Sequence, residues 1–201
     1  MVNRVHIVGE KSSVVIRDSV SDRIIELTED LVVKQGVKAI SVSMLMKKLG
    51  MTNRVFYNRF RNIEEVLNIV YKKVVLKMRD NITAGTNPRM NYYEYVEKLI
   101  VMCMEDTYDL KNQFSQYMFE HDSLSKDNYE WWIKKIKELI NYGIENGYLK
   151  ENLNADDLSY FIWCFCRGCN LDAVMRNISK EDAVRSLKAG FECFLEGAKK
   201  K

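Results

Sequence analysis

Proline is nearly absent from this chain, and that feature limits its fold more than any other. Pro88 is the single proline in 201 residues, and a proline inside a helix kinks or breaks it. Apolar residues recur at intervals of three and four positions, the period of an α-helix, rather than at every second position. With 47% hydrophobic and 29% charged residues, the chain has the balance of a globular protein. The sequence therefore predicts an all-α fold.

Capping residues mark the ends of the predicted helices. Asn62 and Asp127 each stand three positions before a glutamate, as in a capping box. Gly36, Gly50 and Gly147 stand where a helix needs a left-handed residue to end it. The predicted helices span residues 18–35, 42–49, 53–60, 63–81, 91–109, 112–120, 127–146, 154–176 and 180–198.

The sequence also predicts where the protein works. Glu10 and Lys11 follow the short apolar run from Val5 to Val8, so the amino terminus has no signal-peptide core. No apolar run approaches the roughly 20 residues that a membrane helix needs. We therefore expect a cytoplasmic protein with reduced cysteines, and the sequence predicts neither a cofactor nor a bound metal.

Positive charge is concentrated in the first part of the chain. Residues 1–80 hold 15 Lys and Arg against 9 Asp and Glu, whereas residues 81–201 hold 16 against 19. Between positions 31 and 63 there are seven basic residues and no acidic one. Such a field of one sign suits a polyanion, because each neutralised phosphate releases a counterion. A solvated basic surface is the alternative interpretation.

The segment GMTNRVFYNRF, residues 50–60, favours a nucleic acid as the partner. Ser41 can cap a helix that ends at Gly50, and Thr52 can cap the next one. Phe56 and Phe60 lie one turn apart on one face and are expected in the core. Two short helices joined by a glycine turn, the second with polar side chains facing outward, are the parts of a helix-turn-helix.

Each outward side chain has a role that its chemistry suggests. Asparagine pairs with adenine and arginine with guanine in the major groove. Thr52, Tyr57 and Arg59 are placed to hold phosphates. The predicted DNA-binding residues are Ser41, Lys48, Thr52, Asn53, Arg54, Tyr57, Asn58, Arg59 and Arg61.

The segment from Arg23 to Leu67 resembles the amino-terminal DNA-binding domain of the TetR family of bacterial transcription regulators. The residues that carry the resemblance are Gly36, Ser41-Val42, Gly50-Met51-Thr52, Phe56-Tyr57, Phe60 and Glu64-Glu65. Arg54 departs from the small residue usual in the family, and Ile63 departs from the usual lysine. The first departure suggests an added base contact or a changed docking angle, and the second removes a phosphate contact.

The resemblance implies the architecture of the whole chain. Residues 18–62 would form a three-helix helix-turn-helix DNA-binding domain, and residues 63–201 a helical ligand-binding and dimerisation domain. The family is typically a homodimeric, ligand-responsive repressor of a palindromic operator, and dimerisation would use helices 154–176 and 180–198. Helix 63–81 would link DNA reading to effector binding. Activation rather than repression is not excluded by any residue.

Aromatic residues are concentrated in the later part of the chain, where 18 of the 22 follow residue 80. Such a segment would line an apolar pocket well, although aromatic stripes at helical spacing are more often core. A small apolar or aromatic effector is therefore expected. The candidate ligand-binding residues are Met104, Tyr108, Tyr117, His121, Trp132, Ile136, Phe161 and Phe165. His121 has an alternative interpretation as an exposed histidine at a helix end.

Three other interpretations remain open on the residues alone. The segment WCFCRGC, residues 163–169, suggests a thiol or metal sensor of the same fold, although on a helix Cys164 points away from Cys166. A helical protein-interaction module would explain the apolar helices, but it would not explain the seven basic residues and the absence of acidic ones between positions 31 and 63. An enzyme is not predicted, because the chain lacks a recognisable catalytic motif. Residues 1–17 form an extension, either disordered or an arm that reaches the minor groove through Arg4, Lys11 and Arg17.

Overall fold

The computed structural model describes residues 3–5, 15–84, 90–109, 117, 119–121 and 125–200, and it is predominantly helical. The helices are α1 (Ser19–Gln35), α2 (Val42–Leu49), α3 (Asn53–Tyr57), α4 (Ile63–Ala84), α5 (Tyr92–Asp109), α6 (Lys126–Glu145), α7 (Ala155–Met175) and α8 (Lys180–Ala198). Tyr117, Phe119 and Glu120 are helical too, within the predicted helix 112–120, most of which lies outside the described residues, and His121 just after that range is also helical. The all-α prediction is confirmed.

The helix ends follow the chemistry of the residues there. The Asp18 side chain caps α1, and Ser179 caps α8. Gly36, Gly50 and Gly147 all have positive φ. Gly50 has the left-handed conformation predicted for a glycine that ends a helix, whereas Gly36, at φ 81° and ψ 166°, does not. One predicted capping box was wrong: α6 is capped by Ser125, whose hydroxyl accepts the Asn128 N–H, and Asp127 lies within the first turn.

The chain forms two compact units, Met1–Lys77 and Met78–Lys201. The sequence placed the boundary before residue 63, at the start of α4, whereas the two units divide inside this helix. The first unit packs α1, α2, α3 and the beginning of α4 around a core in which Ile24, Val32, Leu45, Phe56 and Val66 are completely or almost completely buried. Because Phe56 comes from α3, this core holds the short helix in place.

Two short strands precede α1. β1 (Asn3–Val5) pairs antiparallel with β2 (Val15–Arg17), with Asn3 opposite Arg17. The sequence prediction treated residues 1–17 as a disordered extension or an arm. Runs of β-branched residues on both sides of Gly9 were the signal for a hairpin.

The second unit packs α5 against α8 and α6 against α7. Met104 on α5 and Leu187 on α8 are almost fully buried in one cluster. A second cluster contains Tyr92 and Ile140, and the Tyr92 hydroxyl donates to the Leu139 carbonyl across 3.1 Å. None of the described helices is both long and apolar enough to cross a membrane.

Candidate nucleic-acid interface

The turn between α2 and α3 is built by local hydrogen bonds. The Ser41 hydroxyl accepts the Met44 N–H at the start of α2. Gly50 ends the helix in the left-handed region, at φ 66° and ψ 31°, which a residue with a side chain adopts only with strain. The Met51 N–H donates back to the Met46 carbonyl across 2.9 Å, closing the turn. The chain then enters α3 with extended backbone at Thr52, but the Thr52 side chain makes no capping hydrogen bond, so the predicted cap is wrong.

Aromatic packing fixes the inner face of α3. The rings of Phe56 and Phe60 are 5.3 Å apart between centroids, and they are 0% and 2% exposed. The expectation that both belong to the core is confirmed. α3 ends at Tyr57 rather than at residue 60, because the Arg59 and Phe60 N–H groups both donate to the Phe56 carbonyl in a tight turn.

The outer face of α3 carries polar side chains. Asn53, Arg54, Tyr57 and Asn58 are all exposed, and 58% of the Tyr57 surface is accessible. Since the core holds the opposite face, these four groups project from a fixed surface. Asparagine and arginine at such positions have the donors and acceptors that base edges require.

Four of the other predicted DNA-binding residues are exposed near this face. Ser41 and Thr52 lie at the starts of α2 and α3, Lys48 lies near the end of α2, and Arg61 lies before α4. Hydroxyl and basic groups at the edge of a reading helix commonly hold phosphates.

Arg59 has a different environment from the other eight. Its side chain is 14% exposed and forms an ion pair with Asp18, with 2.6 Å between Nη2 and Oδ2. The hydrogen bond that Arg59 donates to Asp18 is the main reason why the pKa of the Asp18 carboxyl lies well below its usual range. Because the guanidinium is engaged inside the protein, the structure favours a structural role for Arg59 over the phosphate contact predicted from the sequence.

The seven basic residues between positions 31 and 63 differ in their surroundings. Lys34 pairs with Asp30 one turn earlier on α1, at 2.6 Å, and Arg59 pairs with Asp18. Asp30 and Asp18 both lie outside the acid-free window, which is the range 31–63 without Asp or Glu. The other five basic residues of the window are all exposed, and they are Lys38, Lys47, Lys48, Arg54 and Arg61.

The turn from α3 into α4 is closed by two hydrogen bonds that involve Glu65. The Asn62 side chain accepts the Glu65 N–H across 3.0 Å, and the Glu65 carboxylate accepts the Arg61 N–H across 2.8 Å. Ile63, where the sequence departs from the resemblance, begins α4 and is partly buried. This residue therefore contributes packing at a place where a lysine would offer charge.

The candidate ligand-binding residues lie in several places within the second unit. Met104, Tyr108 and Phe165 belong to or pack against the α5–α8 core cluster, and the Tyr108 hydroxyl donates to the Ile178 carbonyl. Ile136 packs against the other cluster, around Tyr92 and Ile140. Met104 is a core residue, whereas Tyr108, Ile136 and Phe165 are partly buried at the edges of the two clusters.

The aromatic candidates form pairs with their neighbours. Tyr117 is buried and stacks on His121, with 3.8 Å between ring centroids. Trp132 lies 6.3 Å from Trp163, and Phe161 is half exposed on α7. Because Phe161 faces outward, the structure favours a surface role for it over a place inside a pocket.

An open groove of about 580 Å³ runs along α8 and reaches Glu105 on α5. Charged side chains of both signs line it, including Lys180, Glu181, Arg185 and Lys188. Its lining differs from the apolar pocket expected from the sequence.

Two of the five cysteines, Cys103 and Cys166, have the environment of structural thiols, whereas Cys164 and Cys193 are exposed. Burial raises the pKa of Cys166 to about 12 and raises that of Cys103 further. Thiols with raised pKa values react slowly, because the thiolate is the nucleophile. Within the part of the chain that the structure describes, which contains all five cysteines, no group of three or more His, Cys, Asp or Glu side chains could hold a metal ion. The thiol- or metal-sensor alternative gains no support from this geometry.

α7 exposes several large apolar side chains. Tyr160, Phe161 and Met175 are each at least half exposed. On α8, Gly190 and Cys193 are exposed, and Gly190 lies so close to α7 that a Cβ atom there would come within 3.0 Å of the Phe165 ring. Exposed apolar side chains of this size mark protein–protein interfaces where they form one patch.

Comparison with known proteins finds structures of the same fold but no protein that is similar in sequence. No family model and no curated protein matches the chain. Among solved structures, a TetR-family transcriptional regulator from Pectobacterium atrosepticum superposes with a TM-score of 0.77 at 13% identity, covering 90% of this chain and 95% of that one. The fatty acid degradation regulator FadR from Bacillus halodurans superposes with a TM-score of 0.67 at 19% identity, covering 86% of this chain and 94% of that one.

A third similar structure carries a ligand. It is a putative transcriptional regulator from Saccharomonospora viridis in complex with choline, with a TM-score of 0.69 at 17% identity, covering 88% of this chain and 97% of that one. At these identities the similarities establish a shared fold, and each spans nearly the whole length of both chains.

Proposed function

We propose that this chain, which has the fold of TetR-type transcriptional regulators, is a sequence-specific DNA-binding regulator. The outer face of α3 carries the proposal, because it presents Asn53, Arg54, Tyr57 and Asn58 from a helix whose inner face is locked by Phe56. A surface of base-reading side chains set among exposed basic residues matches a helix that enters the major groove. A protein-interaction module would not require this combination.

The side chains divide into two roles in this proposal. Asn53, Arg54 and Asn58 contact base edges, where one bidentate contact is worth about 1–3 kcal/mol of discrimination. Lys48, Thr52, Tyr57 and Arg61 contact phosphates and set the register of the helix, as Ser41 does at the start of α2. We assign Arg59 to neither role.

A homodimer is the proposed active form. The exposed apolar residues of α7 and the small residues of α8 would be covered by the same surface of a second copy, because a twofold interface is self-complementary. Two α3 helices would then read the two halves of a palindromic operator, about one turn of DNA or a small multiple apart.

Control by a small molecule follows from the construction of the second unit. This unit holds most of the aromatic residues of the chain, and a structurally similar regulator is described in complex with choline. α4 runs without interruption from Ile63 to Ala84, through the division between the two units after Lys77. We propose that a small apolar or aromatic effector shifts the protein between states of different operator affinity, and that repression is relieved by it.

Selection from a random duplex pool tests the proposal without knowledge of the operator. Purified protein is mixed with the pool at fixed salt, and the retained DNA is sequenced over several rounds. A palindromic motif with two equal half-sites supports the proposal. Retention without any enriched motif, from protein stripped of small molecules by partial unfolding and refolding, would contradict it.

A further inference from the structure

We propose that Asp18 and Arg59 are a positioning pair that fixes the end of α3 against the start of α1, so that the reading face has one orientation. The inference deepens the proposed function and rests on it. Arg59 would act through the side chains beside it, without touching DNA itself.

All three guanidinium nitrogens of Arg59 donate hydrogen bonds inside the protein. Its Nε donates to Oδ1 of Asp18 across 2.9 Å, and its Nη2 donates to Oδ2 across 2.6 Å. The remaining nitrogen, Nη1, donates to the Val55 carbonyl across 2.9 Å. A bidentate pair of this type fixes direction as well as distance, because the fork of donors is planar. Arg59 therefore ties the last turn of α3 to one point.

The carboxylate that receives Arg59 is itself immobilised. Oδ1 of Asp18 accepts the N–H groups of Val20 and Ser21 across 3.1 and 2.9 Å, and so caps α1. The Ser21 hydroxyl donates to the Ile16 carbonyl across 2.9 Å, and its oxygen lies 3.2 Å from the same Asp18 Oδ1. Asp18 cannot follow a movement of Arg59 without uncapping α1.

α3 needs such an external support because it is short. The helix has five residues, Asn53–Tyr57, and isolated helices of that length are unstable. A second contact acts at the same place: the Arg17 guanidinium lies 5.2 Å from the ring centroid of Phe60. Arg17 and Asp18, which precede α1, therefore hold Phe60 and Arg59, which follow α3. Asn58, an exposed candidate for base contact, lies directly before Arg59.

The test uses Asp18→Ser, with Asp22→Ser as the matched control. Serine is a good amino-terminal cap, so α1 keeps its cap while the side chain becomes too short and uncharged to hold Arg59. Asp22 is an exposed acid in the first turn of the same helix, and its replacement changes the net charge by the same amount. Affinities for the selected operator and for a random duplex are measured at one salt concentration, and amide exchange of residues 53–60 is measured without DNA.

A positioning pair predicts that Asp18→Ser weakens operator binding without weakening random-duplex binding. Asp18→Ser should weaken operator binding about tenfold, the value of roughly one base contact, while random-duplex binding stays equal or tightens because a negative charge is lost. Amides from 55 to 60 should exchange faster than in Asp22→Ser. If Arg59 were instead a phosphate contact, its release would tighten binding to both duplexes, and that result would overturn the proposal.

A general loss of stability would also be recognisable. It would weaken both affinities in proportion, leave their ratio unchanged, and so overturn the positioning role. The amide-exchange measurement keeps the test independent of the proposed function. If the parent protein selects no operator, the proposed function fails. Independently of that result, equal amide exchange rates of residues 55–60 in Asp18→Ser and Asp22→Ser would overturn the positioning role of the Asp18–Arg59 pair.

Discussion

Phe56 packs on Phe60 with 5.3 Å between ring centroids, and both rings are withdrawn from solvent directly beneath the exposed face of α3. The two rings connect stability to function, because the surface that they support carries the proposed base contacts.

Phe56→Ala is expected to destabilise the first unit by about 3–5 kcal/mol, since it removes a fully buried ring and leaves a cavity. Urea unfolding followed by far-ultraviolet circular dichroism measures the change. Tyr57→Ala is the matched control, because the neighbouring ring on the same helix is 58% exposed and its loss should cost less than about 1 kcal/mol. Equal effects of the two substitutions would contradict the burial assigned to Phe56.

Acid should remove the contribution of the Asp18–Arg59 pair to stability. The pKa of Asp18 is lowered in the folded protein, first by the hydrogen bond from Arg59. A carboxyl with a lowered folded-state pKa stabilises the fold above its unfolded pKa of about 3.9, and that contribution is lost as the pH falls toward the folded value. The stability difference between the parent protein and Asp18→Asn should therefore be constant from pH 7 to 5 and shrink below about pH 4.

Urea midpoints measured between pH 2.5 and 7 supply this comparison. Asp22→Asn serves as the control, because Asp22 is exposed and carries the same charge in the same turn. A difference for Asp18→Asn that stays unchanged down to pH 2.5 would show that the ionised pair does not contribute.

Lys48→Ala is expected to weaken operator and random-duplex binding alike, because Lys48 is exposed near the end of α2 and assigned to a phosphate. Its loss should reduce the slope of log K against log salt by about 0.9. Binding titrations at several salt concentrations measure the slope. Lys72→Ala is the control, because Lys72 is an exposed lysine on α4 outside the acid-free window. An equal reduction of the salt slope by Lys72→Ala would contradict a specific phosphate contact of Lys48.

Phe161→Glu is expected to weaken dimerisation at least about tenfold, because the ring is half exposed on α7, within the surface proposed to form the dimer interface. Sedimentation or light scattering at several protein concentrations measures the dimer population. Tyr142→Glu replaces an aromatic residue of similar exposure on α6 and should leave the dimer intact. A parent protein that is monomeric at micromolar concentration would contradict the assignment.

Local features of this chain were predictable from its sequence. The helical period and the glycines at 36, 50 and 147 located most helix boundaries, and the spacing of Phe56 and Phe60 identified the inner face of α3. The exposed residues on its outer face followed from the same period. These features depend on residues within about one helical turn of each other.

Features that depend on distant residues were not predictable. Arg59 pairs with a residue 41 positions earlier, and a basic side chain beside a reading helix suggests a phosphate contact until that partner is seen. The division between the two units falls inside α4, where the helical period continues unchanged. The candidate ligand-binding residues share an apolar character with the core, so composition alone did not separate Met104, which is buried, from Phe161, which is half exposed.

The most direct test of the central claim is a repeated selection from random duplexes with Arg54→Ala. Arg54 is exposed on the outer face of α3, and a base contact from it is worth about 1–3 kcal/mol of discrimination. We expect the enriched palindrome to lose its preference at one base pair in each half-site, symmetrically, while the other positions and the half-site spacing stay the same. A motif identical to that of the parent protein would contradict the claim that this face of α3 reads the operator.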